Sequence, residues 1–276
     1  VVSPQVHTIP VIRSVFTLSE KNHPEYFTEK PSLFEVFNRA GFETFFISNQ
    51  PFGGKSKTSY DVLLNLAQNK YSLSQEKKND EVVLGKLHEI LKKKDNKNKL
   101  IVIHLIGNHM AYEFRYPKNF EIFDNQKDGL VGDAKYRNSA AKKMIDRYDN
   151  SVLYNDSIVY DVIQQIKDQP KASMLYFSDH GEELYDLRDF AGHAYEKFSL
   201  YMCEVPFMLW ISDPKEYPSL QFDTHRPYST VDVMQSISNI AGLKYKDFDE
   251  TKSIFSNSFK PKERLIGEYS YEKETR

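Results

Sequence analysis

Short runs of unbroken apolar character constrain this chain most: "ETFFIS" (43–48), "KLIVIHLIG" (99–107), "ASMLYFS" (172–178) and "VPFMLWIS" (205–212). A strand with one wet face alternates apolar and polar side chains, whereas a strand covered on both faces reads as apolar throughout. Between these runs lie segments with helical spacing. "SLFEVFNRAGF" (32–42) has apolar residues three and four apart and stops at Gly41, and "EVVLGKLHEILKKK" (81–94) is amphipathic with a basic last turn. Residues 139–168 keep the 3.6-residue period without a break and predict one long helix, and "STVDVMQSISNIAG" (229–242) predicts a capped helix ending at Gly242. Alternating strands and helices predict an α/β fold: a mainly parallel central sheet with helices on both faces. No Pro/Gly/Ser-rich linker or repeat interrupts residues 1–276, so a single domain is expected.

Composition narrows the function classes. With 37 basic and 39 acidic residues the formal net charge is −2, which gives no broad electrostatic case for nucleic acid. The 18 Tyr and 19 Phe read as core and surface aromatics rather than a stacking platform. The single cysteine, Cys203, lies in an apparent strand and is expected to be a buried thiol. No apolar run reaches the ~18 residues a membrane span requires. The chain opens on "VVSPQVHTIP", without an initiator Met and as if in mid-strand, so a front segment is expected to be missing.

In open α/β sheets, sites form at the carboxyl ends of strands. At the end of 172–178 stands "SDHGEEL", with Asp179, His180, Gly181 and Glu182; His193 follows in "FAGHAYE". At the end of 99–107 stands "GNHM", with Asn108 and His109, while His104 lies within the strand and reads as core. Carboxylate oxygen mixed with neutral imidazole nitrogen suits a divalent transition ion, zinc first and manganese next. Gly181 allows a close backbone approach, and Glu182 is expected to hydrogen-bond a ligand from behind or an incoming substrate. For a reacting group, no Gly-x-Ser-x-Gly elbow is present. Thr8, in "SPQVHTIPVIRSVFT", is expected at a helix N-terminus, where free N–H groups and the macrodipole favour a phosphate.

Taken in order, these blocks resemble the bacterial phosphoethanolamine transferases of the alkaline phosphatase/sulfatase superfamily. "SPQVHTIPVIRSVFT" is similar to the family's nucleophile segment and "ISNQ" (47–50) to a substrate-loop strand end. "IHLIGNHMAYEFRYP" (103–117) is similar to its His-containing block, and "YFSDHGEEL" with His193 and "EVPFMLW" is the most specific part. The resemblance implies an alkaline-phosphatase/sulfatase-like fold, with Thr8 as nucleophile and Thr8, Asp179 and His180 as ligands of one or two zinc ions. It places His109 and His193 at the substrate or a second metal, and Lys55 at the phosphate; Lys55, Asn108 and Glu182 are expected at the substrate or in support of the groups that hold it. The family's upstream glutamate ligand has no counterpart in these residues. The single cysteine, where relatives carry several disulfides, and Arg13, where many have proline, depart from the pattern.

The implied reaction moves phosphoethanolamine from phosphatidylethanolamine to lipid A, a core sugar or another envelope acceptor, through a phospho-threonine intermediate. The implied setting is the periplasmic face of the inner membrane, with these residues as a monomeric soluble domain behind N-terminal membrane helices. Phosphoglycerol transfer, sulfatase- or phosphodiesterase-type hydrolysis, and an inactive binding relative are the alternatives. Loops 110–136 and 183–200 would select the acceptor.

Overall fold

The computed structural model describes residues 1–52, 58–74, 79–93, 95, 97–124 and 134–274. Helices α1 (Thr8–Val15), α2 (Tyr26–Glu29), α3 (Leu33–Arg39), α4 (Ser59–Leu64), α5 (Val82–Leu91), α6 (Ser139–Ile166) and α7 (Val233–Ile240) are interleaved with the strands. The main strands are β1 (Glu43–Ser48), β2 (Asn69–Ser72), β3 (Lys99–His104), β4 (Ser173–Phe177) and β7 (Phe207–Ile211). Two small hairpins, β5 (Glu183–Leu184) with β6 (Ala191–Gly192) and β8 (Leu265–Ile266) with β9 (Tyr269–Ser270), complete the set.

β2, β1 and β3 form a parallel sheet in that order, with Phe45 opposite both Asn69 and Ile101. β1, at its centre, has buried residues from Thr44 to Ser48. Its side chains alternate between two cores, as the pleat requires. Phe46 packs with Val11, Val15, Phe34 and Met234, while Phe45 and Ile47 pack with Val83, Ile90, Tyr154 and Ile158. Helices thus cover both faces, α1, α3 and α7 on one and α5 and α6 on the other. Complete burial of a side chain such as Phe46 is worth about 1.5–3 kcal/mol.

The expectation of strands covered on both faces holds for β1 and also for β3, whose Leu100 and Val102 pack on one core and Ile101 and Ile103 on the other, though burial is less complete beyond β1. β3 is half-buried along its whole length, and β4 and β7 are at most half-buried. The cause is position: β3 ends its three-stranded ladder, and β4 and β7 pair only with each other. That pair is also antiparallel, with Leu175 opposite Leu209, so the sheet structure is mixed. A continuous apolar run carries no information about strand direction.

Local signals place most helices well. Ser32 and Glu35 form a reciprocal capping box at α3, and Gly41 follows at φ 83°. Asn138 caps α6 by accepting from the N–H groups of Ala140 and Ala141. The segment before α7 is a short 3-10 turn, Thr230–Asp232, rather than regular α-helix. Val2 makes only isolated bridges, to Glu204 and Ser229, so the opening residues are not a strand. Cys203 is not in a strand either. It ends the 3-10 turn Leu200–Met202, is buried, and donates its thiol hydrogen to the Leu200 carbonyl at 3.2 Å. Among the described residues no helix is long and apolar enough to cross a membrane.

Candidate metal centre

β4 ends at Phe177, and the chain turns at once into Ser178, Asp179 and His180. The Ser178 hydroxyl donates to the His180 carbonyl at 2.7 Å, which tightens the turn. Gly181 follows because nothing larger fits. A Cβ there would stand 2.2 Å from the Tyr201 carbonyl oxygen and 2.9 Å from that of Glu204. The close approach lets the Gly181 N–H donate to the Met202 carbonyl at 2.8 Å.

The His180 ring is oriented by its own backbone. Nδ1 lies 3.0 Å from the Gly181 carbonyl, and since a carbonyl only accepts, Nδ1 carries the proton and Nε2 is left as a free donor atom. Nε2 is 3.6 Å from Asp179 Oδ2. Two ligands of a tetrahedral zinc ion stand about 3.4 Å apart, so this pair is spaced to share one cation. A backbone carbonyl on the far ring nitrogen is the usual support for a metal-binding histidine.

The His193 ring lies against His180, tilted at 49° with ring centroids 4.0 Å apart. The β5–β6 hairpin brings it there, with Gly192 at φ 121° just before it. Glu182 Oε1 lies 3.0 Å from His193 Nδ1. Hydrogen bonding to that carboxylate raises the His193 pKa against the opposing effect of burial. Among the described residues, His180, Glu182 and His193 bring donor atoms within 4.8 Å of one another. Glu183, the next acid, is structural: fully buried, it holds Arg188 in a forked pair at 3.0 and 3.1 Å.

Thr8 is the first residue of α1, half-buried, with uncapped N–H groups around it. Its neighbour His7 touches the centre, its ring 5.2 Å from that of His193 and 4.8 Å from that of Tyr195. Burial, then the His193 and His180 rings, lowers the His7 pKa. Sequence reasoning passed over His7, although it stands beside Thr8 in the same quoted segment.

His109 is exposed on the loop after β3, outside the cluster of donor atoms. The loop is firmly held. Arg115 donates to the carbonyls of His109 and Met110 at 3.0 and 2.8 Å. Buried Asp80 accepts from the N–H groups of Ile106 and Gly107 at 3.0 and 2.8 Å, and from the Asn49 amide at 3.0 Å. The Asn108 amide donates to Ser151 on α6 at 2.7 Å, anchoring the loop to the helix. His104 stays in the interior: Tyr60 meets its Nδ1 at 2.7 Å, Gln50 meets its Nε2 at 3.2 Å, and burial lowers its pKa. Lys55 lies outside the described residues.

An α/β fold with an aspartate–histidine pair just past the carboxyl end of β4, and with the head of α1 reaching the same centre through His7, is the architecture of a phosphate- or sulfate-ester enzyme. The chain belongs to the sulfatase family, whose model matches residues 1–243. Among named relatives, it is 31% identical over 281 residues to phosphoethanolamine transferase EptC of Escherichia coli K12, covering 97% of this chain and 48% of that protein. It is 32% identical over 285 residues to phosphoethanolamine transferase CptA of Salmonella typhimurium, with the same coverage of 97% and 48%. The chain therefore spans about half the length of these relatives. The zinc complex of the C-terminal periplasmic domain of E. coli EptC superposes with a TM-score of 0.89 at 31% identity, over 96% of this chain and 76% of that one. The soluble domain of lipooligosaccharide phosphoethanolamine transferase A of Neisseria meningitidis shares the fold, with a TM-score of 0.76 at 18% identity over 94% and 81% of the two chains.

Proposed function

We propose that residues 1–276 form one catalytic domain of a zinc-dependent phosphoethanolamine transferase acting at the periplasmic face of the inner membrane. The observation that carries this reading is the Asp179–His180 pair, 3.6 Å between donor atoms, with the His193 ring tilted against His180 and the head of α1 alongside. The names of the relatives supply the transferred group. Thr8, Asp179 and His180 are the residues that would hold the ion. When bound, zinc supplies Lewis acidity that lowers the pKa of a hydroxyl and offsets charge on a phosphoryl group.

In this reading the Thr8 oxygen attacks the phosphorus of phosphatidylethanolamine. A Thr8 O–P bond forms and the P–O bond to diacylglycerol breaks, with diacylglycerol leaving as the alcohol after taking up a proton. The free N–H groups of α1 and the helix dipole favour the phosphoryl oxygens. His193 and His109 hold the group from the opposite loops, His193 being aligned by Glu182. A hydroxyl or phosphate oxygen of lipid A, a core sugar or another envelope molecule then takes the phosphoethanolamine and frees Thr8. The work of the side chains is positioning and charge neutralisation, as phosphoryl transfer requires.

Thr8→Ala is expected to abolish transfer with folding preserved, and the wild-type protein mixed with labelled donor lipid is expected to carry phosphoethanolamine on Thr8 by mass spectrometry. Near-full activity of the variant overturns the assignment. Ethanolamine- and glycerol-headgroup lipids offered side by side separate this activity from phosphoglycerol transfer. Absence of both bound zinc and modified Thr8 identifies an inactive binding relative.

A further inference from the structure

Glu182 was expected to meet a ligand or substrate, or to support the groups that do, and the structure packs it against His193. Its side chain is only 6% exposed, against 31% for Asp179. Oε1 is committed to His193 Nδ1 at 3.0 Å. Oε2 is buried without a hydrogen bond, and so is the hydroxyl of Tyr112, itself 1% exposed. These two groups are neighbours. Burial raises the Tyr112 pKa far above the usual phenol value, and the nearby Glu182 charge raises it further. Tyr148 packs edge-on against Tyr112 with centroids 5.2 Å apart, and its pKa too is raised by burial and then by Glu182. The carboxylate thus sits close to buried aromatic side chains with one oxygen on the imidazole.

We propose that Glu182 is a positioning residue: it fixes His193 in the Nδ1–H tautomer and turns Nε2 toward His180 and the reacting group. A carboxylate only accepts, so the shared proton belongs to Nδ1 and the Nε2 lone pair is left facing the site. The geometry just before His193 supports this, because Gly192 brings the backbone against Glu182: a Cβ there would lie 3.7 Å from Oε2 and 3.3 Å from Met110 Sδ. Tyr112 lies three residues past His109, on a loop whose backbone Ala111 takes at φ 63°. One buried carboxylate therefore fixes the ring of a histidine 11 residues further along the chain, and a misplacement of that ring by about 1 Å is enough to cost a transfer enzyme on the order of 100-fold. The consequence for transfer rests on the function proposed above; the ring's tautomer does not.

The test is the tautomer of His193, read from ring 15N chemical shifts in chelator-treated protein, at a pH above imidazolium titration, with His193→Asn to assign the signal. The Nδ1–H form is expected in the wild type. In Glu182→Gln the carboxamide can donate to Nδ1, so the population is expected to shift toward Nε2–H, with transfer about 10–100-fold slower. A predominantly Nε2–H ring in the wild type overturns the proposal without needing any variant to fold. An unchanged tautomer in a folded Glu182→Gln protein also overturns it. A tautomer shift with undiminished transfer removes the role in transfer and leaves the positioning intact. A wild type inactive on every lipid offered counts against the transferase reading alone.

Discussion

At the scale of single residues, the parts of the site legible in the sequence are those that strand ends announce. Asp179 and His180 follow β4 directly, and the structure puts their donor atoms 3.6 Å apart. His193, thirteen positions on from His180, is brought back by the β5–β6 hairpin. His7, Tyr112 and Asp80 were not legible, because nothing in their local sequence distinguishes them from ordinary loop residues and their partners are distant in the chain. Gly181 is a residue whose reason became visible only in three dimensions. Gly181→Ala drives a methyl group to 2.2 Å from the Tyr201 carbonyl oxygen. Backbone on both sides cannot yield as a side chain end does, so the expected loss is roughly 3 kcal/mol or more, measured by urea unfolding. A loss below about 1 kcal/mol contradicts the close-approach account.

At the scale of elements, helical periodicity was a sound guide. The long helix appears as α6, Ser139–Ile166, because a 3.6-residue apolar stripe over that length finds a sheet and α5 to cover it. Strand exposure was less legible, since a run of apolar residues says nothing about whether it ends a ladder. α6 also organises its surroundings through polar side chains on its buried face. Asn150 accepts from the N–H groups of Ile122 and Phe123, both at 2.8 Å, and donates to the Phe123 carbonyl at 2.9 Å. Asn150→Ala strips two backbone donors of their acceptor, and the expected cost is about 1–3 kcal/mol. Amide hydrogen exchange at Ile122 and Phe123 is expected to accelerate well beyond that of α6 itself; unchanged protection there shows that the loop is held by something else. Tyr176 on β4 receives the Asn155 amide at 2.6 Å, which ties the helix to the strand that ends in the metal pair.

At the scale of the whole molecule, the first third of the chain is held to the last by charge. Glu20 accepts from Lys252 at 3.3 Å and from Lys262 at 3.2 Å. Burial alone raises the Glu20 pKa, but the two lysines outweigh it and the net shift is downward from 4.5. A carboxyl with a lowered folded-state pKa contributes stability that is full above the unfolded value and is lost as pH falls through the folded one. Unfolding free energy is therefore expected to drop below about pH 4.5 more gently in Glu20→Gln than in the wild type, by denaturant titration at several pH values. Parallel pH curves for the two proteins rule out this linkage. The proposed site adds a second dependence. A cation held between the end of β4 and the head of α1 binds only the folded chain, so Tm is expected to rise with free zinc, by an increment that grows with its logarithm. A flat response across that titration removes the site.

Cys203 carries a last consequence. Its thiol is enclosed, and burial pushes its pKa up to about 12. Thiolate is the form that oxidants and alkylating reagents attack, and at neutral pH almost none is present. An oxidising compartment therefore leaves this sulfur untouched, and two copies cannot be cross-linked through it. Any cysteine engineered onto the surface becomes the sole reactive handle, so a spin label or dye placed on the loop of His109 reports that loop alone.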